Sequence, residues 1–484
     1  MSEKVTFESL TQAFFKIERE ENLYNWEVAG VQVWTLLRSK VLHQLADDAG
    51  IYDLANVKIH RAPADYVGYQ GPKPTPILLK HVTGWRWFLR GILPKPKDPK
   101  VRQWLAATEL VVPFSTRTAT GEEPLSQAMI DVLGERGLVL GHGAWDHKSD
   151  RPHQKIMQNI ARKKYKNYYA VLLRLVTKKT DRAKWNRVIK AVEAAAGVKL
   201  SKHRQFPTWE INNYLCDARL FRKVFKRIRI KHLFIVNATS MTLMGALQEI
   251  GVPTIELQQG LISEHSLQFS WPGRPNIKYL PSEVWTWGGI WTEGIENAGN
   301  QTVRVVGSTP AFVEARERQD AGDPTLKRVP GRVVVMSQPV VSTELFAAAE
   351  QIAKKQPKLE VVFKPHPRDQ IEQFKTSGLP KNLRMATPEE NSTVLCATSE
   401  YAIGVFSTTL IEALGFGAKV GILKLAGWES LKRLVDGGHA HGFDTVDELV
   451  AGIKDLPLPK DRNHFYAPKA DLAAELAALE ERTA

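Results

Sequence analysis

The sequence predicts an α/β protein with two doubly wound domains and an additional helical region at its N-terminus. Short apolar runs alternate with helical stretches over two long parts of the chain. These runs end in small or polar residues, as strands of a parallel sheet do close to a ligand. In addition, 484 residues are too many for one ordinary hydrophobic core, so we expect more than one domain.

We divide the chain into four parts. Residues 1–105 are a helical and basic region, 106–325 a first α/β domain with a basic helical insertion, 330–460 a second α/β domain, and 461–484 a C-terminal helix that folds back on the first domain. The polar stretch 311–330, broken by Gly and Pro, predicts the linker. Strands are predicted near 110–114, 138–140, 233–236, 254–257, 284–287 and 303–306, and then near 332–336, 360–363, 383–385, 401–405 and 419–423.

Composition indicates a soluble protein with an anionic partner. Hydrophobic residues make up 43% of the chain and charged residues 24%, and the net charge is +14. That charge fits nucleic acid, an anionic membrane surface or phosphorylated substrates, although it also fits solubility alone. Cys216 and Cys396 have no metal-binding spacing, and neither a signal peptide nor an apolar run of 18 residues is present. We therefore expect a protein of the reducing cytoplasm.

Two N-terminal stretches combine aromatic rings with cations. Residues 1–60 read as helical, and within them 22–38 places Trp26 and Trp34 close to Arg38. This pattern fits a cap helix that packs its rings on a core, or a direct ligand contact. Residues 85–100 mix Trp, Phe, Lys and Arg, which suits either a membrane–water interface or a basic linker.

A basic helix is predicted in the first domain. Residues 219–231 carry seven cations and no acid, with apolar positions on one helical face. The charges form either a solvated face or a surface that meets anionic lipid or polymer. Nucleic acid is the weaker alternative because no recognised nucleic-acid-binding module accompanies the charge.

The strand at 360–363 runs into a stiff basic loop. In Lys364-Pro-His-Pro-Arg368, two prolines restrict the backbone around His366. An imidazole donates a hydrogen bond to a phosphate oxygen, and Lys364 and Arg368 supply charged donors. We therefore predict a phosphate-binding loop, with a purely structural turn as the alternative.

The strand at 401–405 leads into a hydroxyl-rich helix start. Ser407, Thr408 and Thr409 precede this helix, whose free N–H groups form an anion site. Capping of the helix by a hydroxyl is the alternative role. Glu412, one turn into the helix, either accepts from ribose hydroxyls or neutralises the basic loop.

These two stretches resemble the HP and Ser/Thr motifs of bacterial GT-B glycosyltransferases of capsule and lipopolysaccharide assembly, which include sialyl-, polysialyl-, Kdo and glycerol-phosphate transferases. The resemblance covers roughly residues 230–425. It implies a GT-B fold, in which two Rossmann-like domains face a cleft. It also implies a CMP- or CDP-activated donor, such as CMP-Kdo or CMP-sialic acid, whose phosphates are bound by His366, Ser407 and Thr408. Residues 257–265 and 285–288 look like the "QHG…H" and "W-G" stretches of capsule-type relatives, with Gln259 in place of His.

An inverting transferase of this kind needs a base on the first-domain side of the cleft. We rank Glu264 first, followed by His265 and Asp146. Candidate acceptor-binding residues follow the predicted strands at 110–114, 138–140 and 254–257 of the first domain. They are Arg117, His142, Gln258 and Gln259. For any one of the loop residues at 142–147, a solvated position is the alternative. No DxD pattern is present, so we expect neither a metal nor a cofactor.

Three functions follow as hypotheses. The first is an inverting, metal-independent transferase that uses a cytidine-activated sugar to extend a saccharide or lipid-linked saccharide at the inner face of the cytoplasmic membrane. The second is a UDP-sugar transferase or a sugar-nucleotide 2-epimerase. The third is a non-enzymatic protein that binds polyanions or lipid on the same scaffold.

Overall fold

The structure is a computed structural model that describes residues 5–51, 106–113, 125–141, 154–236, 240–307, 310–375, 377–387 and 389–483. Two six-stranded sheets organise these residues, one in each half of the chain. The ring-and-cation stretch at 85–100 lies outside the described residues.

The N-terminal region contains a β-hairpin where helix was predicted. It consists of α1 (Phe7–Glu20), β1 (Glu27–Val28), β2 (Val31–Gln32) and α2 (Arg38–Asp48). The prediction of helix over 22–38 is therefore wrong. The hairpin turns at Ala29 and Gly30, whose φ angles are 53° and 76°, and two such residues make a type I′ turn. Alanine seldom occupies this turn, so the sequence carried no hairpin signal.

The first sheet contains the six strands predicted for this half. They run parallel in the order β4-β3-β5-β6-β7-β8, and each begins within one residue of its predicted start. Residues of β3, β5 and β6 are buried throughout, as expected for a sheet covered on both faces. The strands are β3 (Glu109–Val112), β4 (Gly137–Val139), β5 (His232–Val236), β6 (Thr254–Leu257), β7 (Glu283–Thr286) and β8 (Thr302–Val305).

Four helices of the first half, between residues 154 and 248, share one core with the N-terminal region. Trp34 of that region packs in the same cluster as Trp185, Phe221 and Leu233. The N-terminal residues are thus part of this half's core, and their aromatic rings serve packing. The helices are α3 (Gln127–Leu133), α4 (Gln154–Val176), α5 (Lys179–Ala196), α6 (Thr208–Ile228), α7 (Met241–Gln248) and α8 (Pro310–Asp320).

The second sheet is also parallel, in the order β11-β10-β9-β12-β13-β14. Its strands are β9 (Val329–Met336), β10 (Glu360–Lys364), β11 (Leu383–Met385), β12 (Ser399–Gly404), β13 (Lys419–Leu423) and β14 (His441–Phe443). Its helices are α9 (Ser342–Lys355), α10 (Ser392–Thr398), α11 (Thr408–Gly415), α12 (Lys432–Asp436) and α13 (Val446–Gly452). The predicted architecture of two Rossmann-like α/β units is confirmed. Only β14 was missed, because its three residues contain a single large apolar side chain.

After the second sheet the chain returns to the first. The segment contains α14 (Arg462–Phe465) and α15 (Leu472–Thr483). Leu476 and Leu479 of α15 are buried in a cluster with Val111 and Phe234 of the first sheet. The returning segment therefore links the two halves a second time, in addition to the chain between β8 and β9.

Gly288 gives this segment the room to pass. A Cβ atom at position 288 would lie 2.5 Å from the carbonyl oxygen of Phe465 and 2.7 Å from that of His464. The Trp291 indole donates to the same Phe465 oxygen at 2.8 Å, and the Ala467 N–H donates to the Trp287 oxygen at 2.7 Å. The Trp-Gly stretch at 285–288 thus has a packing role here.

We expect Gly288→Ala to lower the free energy of unfolding by about 1–3 kcal/mol, because backbone atoms have to move to admit the methyl group. Urea unfolding measures the change. Gly260→Ala is the matched control, since nothing lies within 4 Å of a Cβ built there. Equal stability of the two variants would contradict the packing role of Gly288.

Candidate functional site

Three loops meet at the carboxyl edge of the second sheet. β9 lies at the centre, with β10 on one side and β12 on the other. The chain extends the sheet first from β9 towards β10 and β11, and later from β9 towards β12 and β13. Ligands of doubly wound sheets bind at such a reversal, beyond the carboxyl ends of the strands. The loops at 337–341, 365–370 and 405–407 border this point.

Hydrogen bonds from the β9 loop hold its two neighbours in place. The Ser337 N–H donates to the carbonyl oxygen of Lys364 at 3.0 Å. On the other side, the Phe406 N–H donates to Oε1 of Gln338 at 3.1 Å. The basic loop after β10 and the hydroxyl turn after β12 are therefore fixed relative to each other. No local sequence pattern indicated Gln338, whose role is visible only through this contact.

His366 is held in one tautomer by its own loop. The backbone N–H of His366 donates to the Asp369 carboxylate at 2.7 Å, and the backbone N–H of Asp369 donates to the His366 carbonyl oxygen at 2.9 Å. The Arg368 N–H donates to Nδ1 of His366 at 3.1 Å. Since Nδ1 accepts, the ring proton of the neutral imidazole is on Nε2. Burial, and secondarily Arg368, lowers the pKa of His366 to about 4, so the ring is a neutral donor at pH 7.

Lys364 and Arg368 differ in their surroundings. Lys364 is buried and its Nζ donates to the carbonyl oxygen of Thr387 at 3.0 Å. Burial lowers the pKa of this ammonium group. Arg368 is exposed at the tip of the loop. Lys364 thus connects the loop to the segment that follows β11, while Arg368 remains directed to solvent as a charged group.

The Ser407 hydroxyl caps α11. Its Oγ accepts from the Thr409 N–H at 3.3 Å and lies 2.7 Å from the Thr409 hydroxyl. Gly404, at the end of β12, lets the helix approach, because a Cβ atom there would be 3.2 Å from Leu410. Ser407, Thr408 and Thr409 are all partly exposed at this helix end.

Glu412 of α11 is half-buried and faces α10. Its carboxylate accepts from the Thr393 hydroxyl of α10 at 3.3 Å. Burial, and after it the charge of Glu412, raises the pKa values of Cys396 and Tyr466. Burial raises the pKa of Glu412 to about 7, against the opposing effect of Thr393. The carboxyl is thus partly ionised at pH 7, and its predicted roles, towards ribose hydroxyls or towards the basic loop, stay predictions.

Glu412 gives stability a defined pH dependence. Its pKa is about 7 in the folded protein and 4.5 as a free group, so the folded state holds the proton more tightly. Stability therefore falls as pH rises from about 4.5 to about 7. We expect Glu412→Gln to reduce the loss in unfolding free energy between pH 4.5 and pH 8 by about 1–3 kcal/mol. Urea titrations at both pH values test this, with the exposed Glu372→Gln as control, and an unchanged loss would contradict it.

Gln258 has a structural role at the end of β6. Its Nε2 donates to the Gly260 oxygen at 3.0 Å, and its Oε1 accepts from the Trp287 N–H at 2.8 Å. The side chain is buried. These bonds use both ends of the amide, and acceptor binding by Gln258 stays a prediction. Gln259 is partly exposed beside it and stays a candidate.

Glu264 and His265 lie where the first half meets the second. Arg433 of α12 donates to the carbonyl oxygens of Ile262 and, at 3.1 Å, Trp291, and Lys432 pairs with Glu8 of α1 at 3.1 Å. Glu264 is partly exposed beside these contacts. The structure thus brings the loop after β6 against an element of the second half.

His265 is less accessible than Glu264. Its ring is buried, its Nε2 lies 3.8 Å from the Glu264 carboxylate, and neither ring nitrogen has a hydrogen-bond partner among the described residues. Burial lowers the pKa of His265, although Glu264, Glu8 and Glu429 oppose this effect and Lys432 adds to it. Of the two adjacent groups, the exposed carboxylate is therefore better placed to meet a substrate. Arg117, His142 and Asp146 lie outside the described residues.

The first half also contains a cavity of about 360 Å³ that sequence analysis did not find. Thr242 and Gln268, which follow the carboxyl ends of β5 and β6, line it together with Trp209, Arg162 and Asp217. Arg162 and Asp217 pair at 2.6 Å, and burial raises the pKa of Asp217 to about 6. The lining comes from separate segments, so no local pattern predicted it. Among the described residues, no cluster of His, Cys, Asp and Glu is arranged to hold a metal.

No protein family and no curated protein matches the sequence. Solved structures of similar fold include the "glycotransferase of kitacinnamycin", with 12% identity and a TM-score of 0.44 over 78% of this chain and 98% of that chain. Another is the spinosyn rhamnosyltransferase SpnG (14%, TM-score 0.42, 77% and 99%). A third is the UDP-GlcNAc 2-epimerase from Methanocaldococcus jannaschii (12%, TM-score 0.41, 77% and 99%). The functional proposal therefore rests on the residues of the site.

Proposed function

We propose that this protein is a glycosyltransferase that binds the phosphates of a nucleotide-activated sugar between His366 and the start of α11. The observation that carries the proposal is the pairing of two kinds of donor beside the central strand β9. A neutral imidazole with its proton on Nε2 comes from the β10 side, and a helix N-terminus with its hydroxyls comes from the β12 side. Both suit an anionic leaving group.

In this proposal the second half stabilises the departing nucleotide. As the bond from the sugar carbon to the phosphate oxygen breaks, negative charge grows on that oxygen. His366 donates a hydrogen bond to the phosphate, and Ser407, Thr408 and the N–H groups of α11 provide further donors. Arg368 adds positive charge from the tip of the loop. Because the loops are already fixed through Ser337 and Gln338, little reorganisation accompanies the reaction.

In this proposal the first half binds the acceptor and supplies the base. The acceptor hydroxyl forms the new bond to the sugar carbon from the side opposite the leaving phosphate, which inverts the configuration, and its proton passes to a general base. We propose Glu264 for this role, with His265 and Asp146 as alternatives. The cavity between α4, α6 and α7 is the proposed place for part of a saccharide or lipid-linked saccharide acceptor. No metal enters this mechanism.

For the donor we propose a cytidine nucleotide, CMP-Kdo, CMP-sialic acid or a related sugar, on the basis of the motif resemblance around Lys364-Pro-His-Pro367 and Ser407-Thr-Thr409. The acceptor would then belong to a bacterial surface polysaccharide made at the cytoplasmic membrane face. A UDP-sugar is the alternative donor, with transfer or 2-epimerisation as the reaction.

Thermal unfolding with a panel of CMP, CDP, UDP and GDP tests the donor site. A nucleotide at 100 times its Kd is expected to raise the melting temperature by ~5 °C. Stabilisation by cytidine nucleotides that is lost in His366→Ala, but kept in the exposed control His441→Ala, supports the proposal. Stabilisation by UDP alone overturns the cytidine assignment, and no stabilisation by any nucleotide overturns the transferase and favours the non-enzymatic alternative.

A further inference from the structure

The outer face of α4 is unusual among the described helices because it carries a row of large apolar side chains that are exposed to solvent. Tyr168 is 59% exposed, Val171 57% and Leu175 80%. Positions 168, 171 and 175 follow helical spacing, so these side chains lie on one side of the helix. An apolar row of this kind, unlike a single exposed residue, indicates a surface that contacts something.

The helix that carries this row is rich in cations and contains no acid. Residues 154–176 contain six cations and no Asp or Glu: Lys155, Arg162, Lys163, Lys164, Lys166 and Arg174. Lys164 lies one helical turn before Tyr168 on the same side, while Lys163 and Arg174 border the row and are exposed.

The neighbouring helix α6 extends the positive charge. Its exposed Arg219 lies over the rings of Tyr165 and Tyr168, at 5.0 and 5.5 Å from their centres. Nearby Asp217 is buried and already paired with Arg162, so it does not offset this charge at the surface. We call Tyr168, Val171, Leu175 and the exposed cations Lys163, Lys164, Arg174 and Arg219 the α4 face.

We propose that the α4 face binds the surface of an anionic lipid bilayer. Aliphatic side chains enter the boundary between headgroups and acyl chains, a tyrosine ring lies at headgroup depth, and cations meet anionic headgroups. Nucleic acid would use the cations alone and leaves the exposed Val171 and Leu175 without a function. None of the described helices has the length and apolar character needed to cross a bilayer.

Vesicle sedimentation tests this proposal on the full chain. At 0.1 M salt, binding to vesicles with 30% phosphatidylglycerol is expected to exceed binding to pure phosphatidylcholine at least tenfold, since each cation near the surface strengthens binding roughly fivefold. The double variant Val171→Ser/Leu175→Ser is expected to bind anionic vesicles about tenfold more weakly, and Lys163→Glu/Lys164→Glu more weakly still.

Matched controls come from exposed residues elsewhere. Ile371→Ser/Leu458→Ser removes two exposed aliphatic side chains, and Lys375→Glu/Lys381→Glu reverses two exposed charges, both away from the α4 face. Equal loss in these controls, or no preference of the wild type for anionic vesicles, would overturn the proposal. So would Val171→Ser/Leu175→Ser binding as tightly as the wild type, which would indicate a general polyanion surface. The experiment is independent of the proposed transferase activity, because the α4 variants are expected to keep any stabilisation by nucleotides.

Discussion

Replacing His366 with alanine is expected to lower kcat/KM for sugar transfer by about 100- to 1,000-fold. In the proposed donor complex the imidazole donates from Nε2 to a phosphate oxygen, and that bond strengthens as the nucleotide leaves with its charge. An alanine removes the donor and leaves no substitute at this position, since Lys364 is engaged with Thr387. Initial rates of nucleotide release, measured with the donor that stabilises the protein, test the expectation.

The same site has a second, independent signature in its pH profile. Because the pKa of His366 is about 4, the ring stays neutral from pH 5 to 8, and its protonation should produce no step near pH 6.5. The variant should therefore be slower by a similar factor across this range. His441→Ala, an exposed histidine of β14, is the control and should retain full activity. A loss below tenfold in His366→Ala would remove the imidazole from the phosphate site.

Much of the architecture was predictable because parallel strands are buried on both faces. Runs such as Leu233-Phe-Ile-Val236 and Glu360-Val-Val-Phe363 are apolar over their whole length or nearly so, and glycines or polar residues follow them. Because both faces of these strands are buried, each strand is recognisable in the sequence as a continuous apolar run. The hairpin at Ala29-Gly30 was missed because its turn depends on backbone angles that alanine rarely adopts.

The candidate site was predictable only where its residues are adjacent in the chain. The loop around His366 and the cap at Ser407 are local, so spacing and turn chemistry were enough to suggest them. The roles of Gln338 and Gln258 depend on contacts between distant segments, since Gln338 accepts from the Phe406 N–H and Gln258 from the Trp287 N–H. The cavity beside Asp217 has the same origin, because its walls come from several helices and loops.

The ion pair of Arg38 is the clearest example of a contact that could not be predicted from the sequence. Trp26 and Trp34 beside it suggested a ring cluster, but its partner Glu18 is 20 residues away on α1. The two side chains are buried and joined by two bonds of 2.8 Å, Nε to Oε1 and Nη2 to Oε2. Trp34 and Tyr24 each donate to the same carboxylate at 2.6 Å.

The arginine also connects the N-terminal region to the loop after β6. Its Nη1 donates to the carbonyl oxygens of Leu267 and Ser270 at 2.7 and 3.2 Å, and the guanidinium lies 3.8 Å from the ring centre of Trp271. This loop also bears Glu264, the proposed base. If Glu264 acts as the proposed base, loss of Arg38 should affect both stability and the placement of that carboxylate.

We expect Arg38→Met to lower the free energy of unfolding by about 3–5 kcal/mol, because it leaves the Glu18 carboxylate buried without its counter-charge. Urea unfolding followed by tryptophan fluorescence measures the loss. Lys16→Ala, which removes the exposed pair with Glu20 on the same helix, is the matched control and should cost less than about 1 kcal/mol. The double variant Glu18→Met/Arg38→Met should be more stable than Arg38→Met, since it removes the isolated charge together with its partner. If Arg38→Met is no less stable than the Lys16→Ala control, the buried pair does not organise this half, and Glu264 must owe its position to the Arg433 contacts with Ile262 and Trp291 instead.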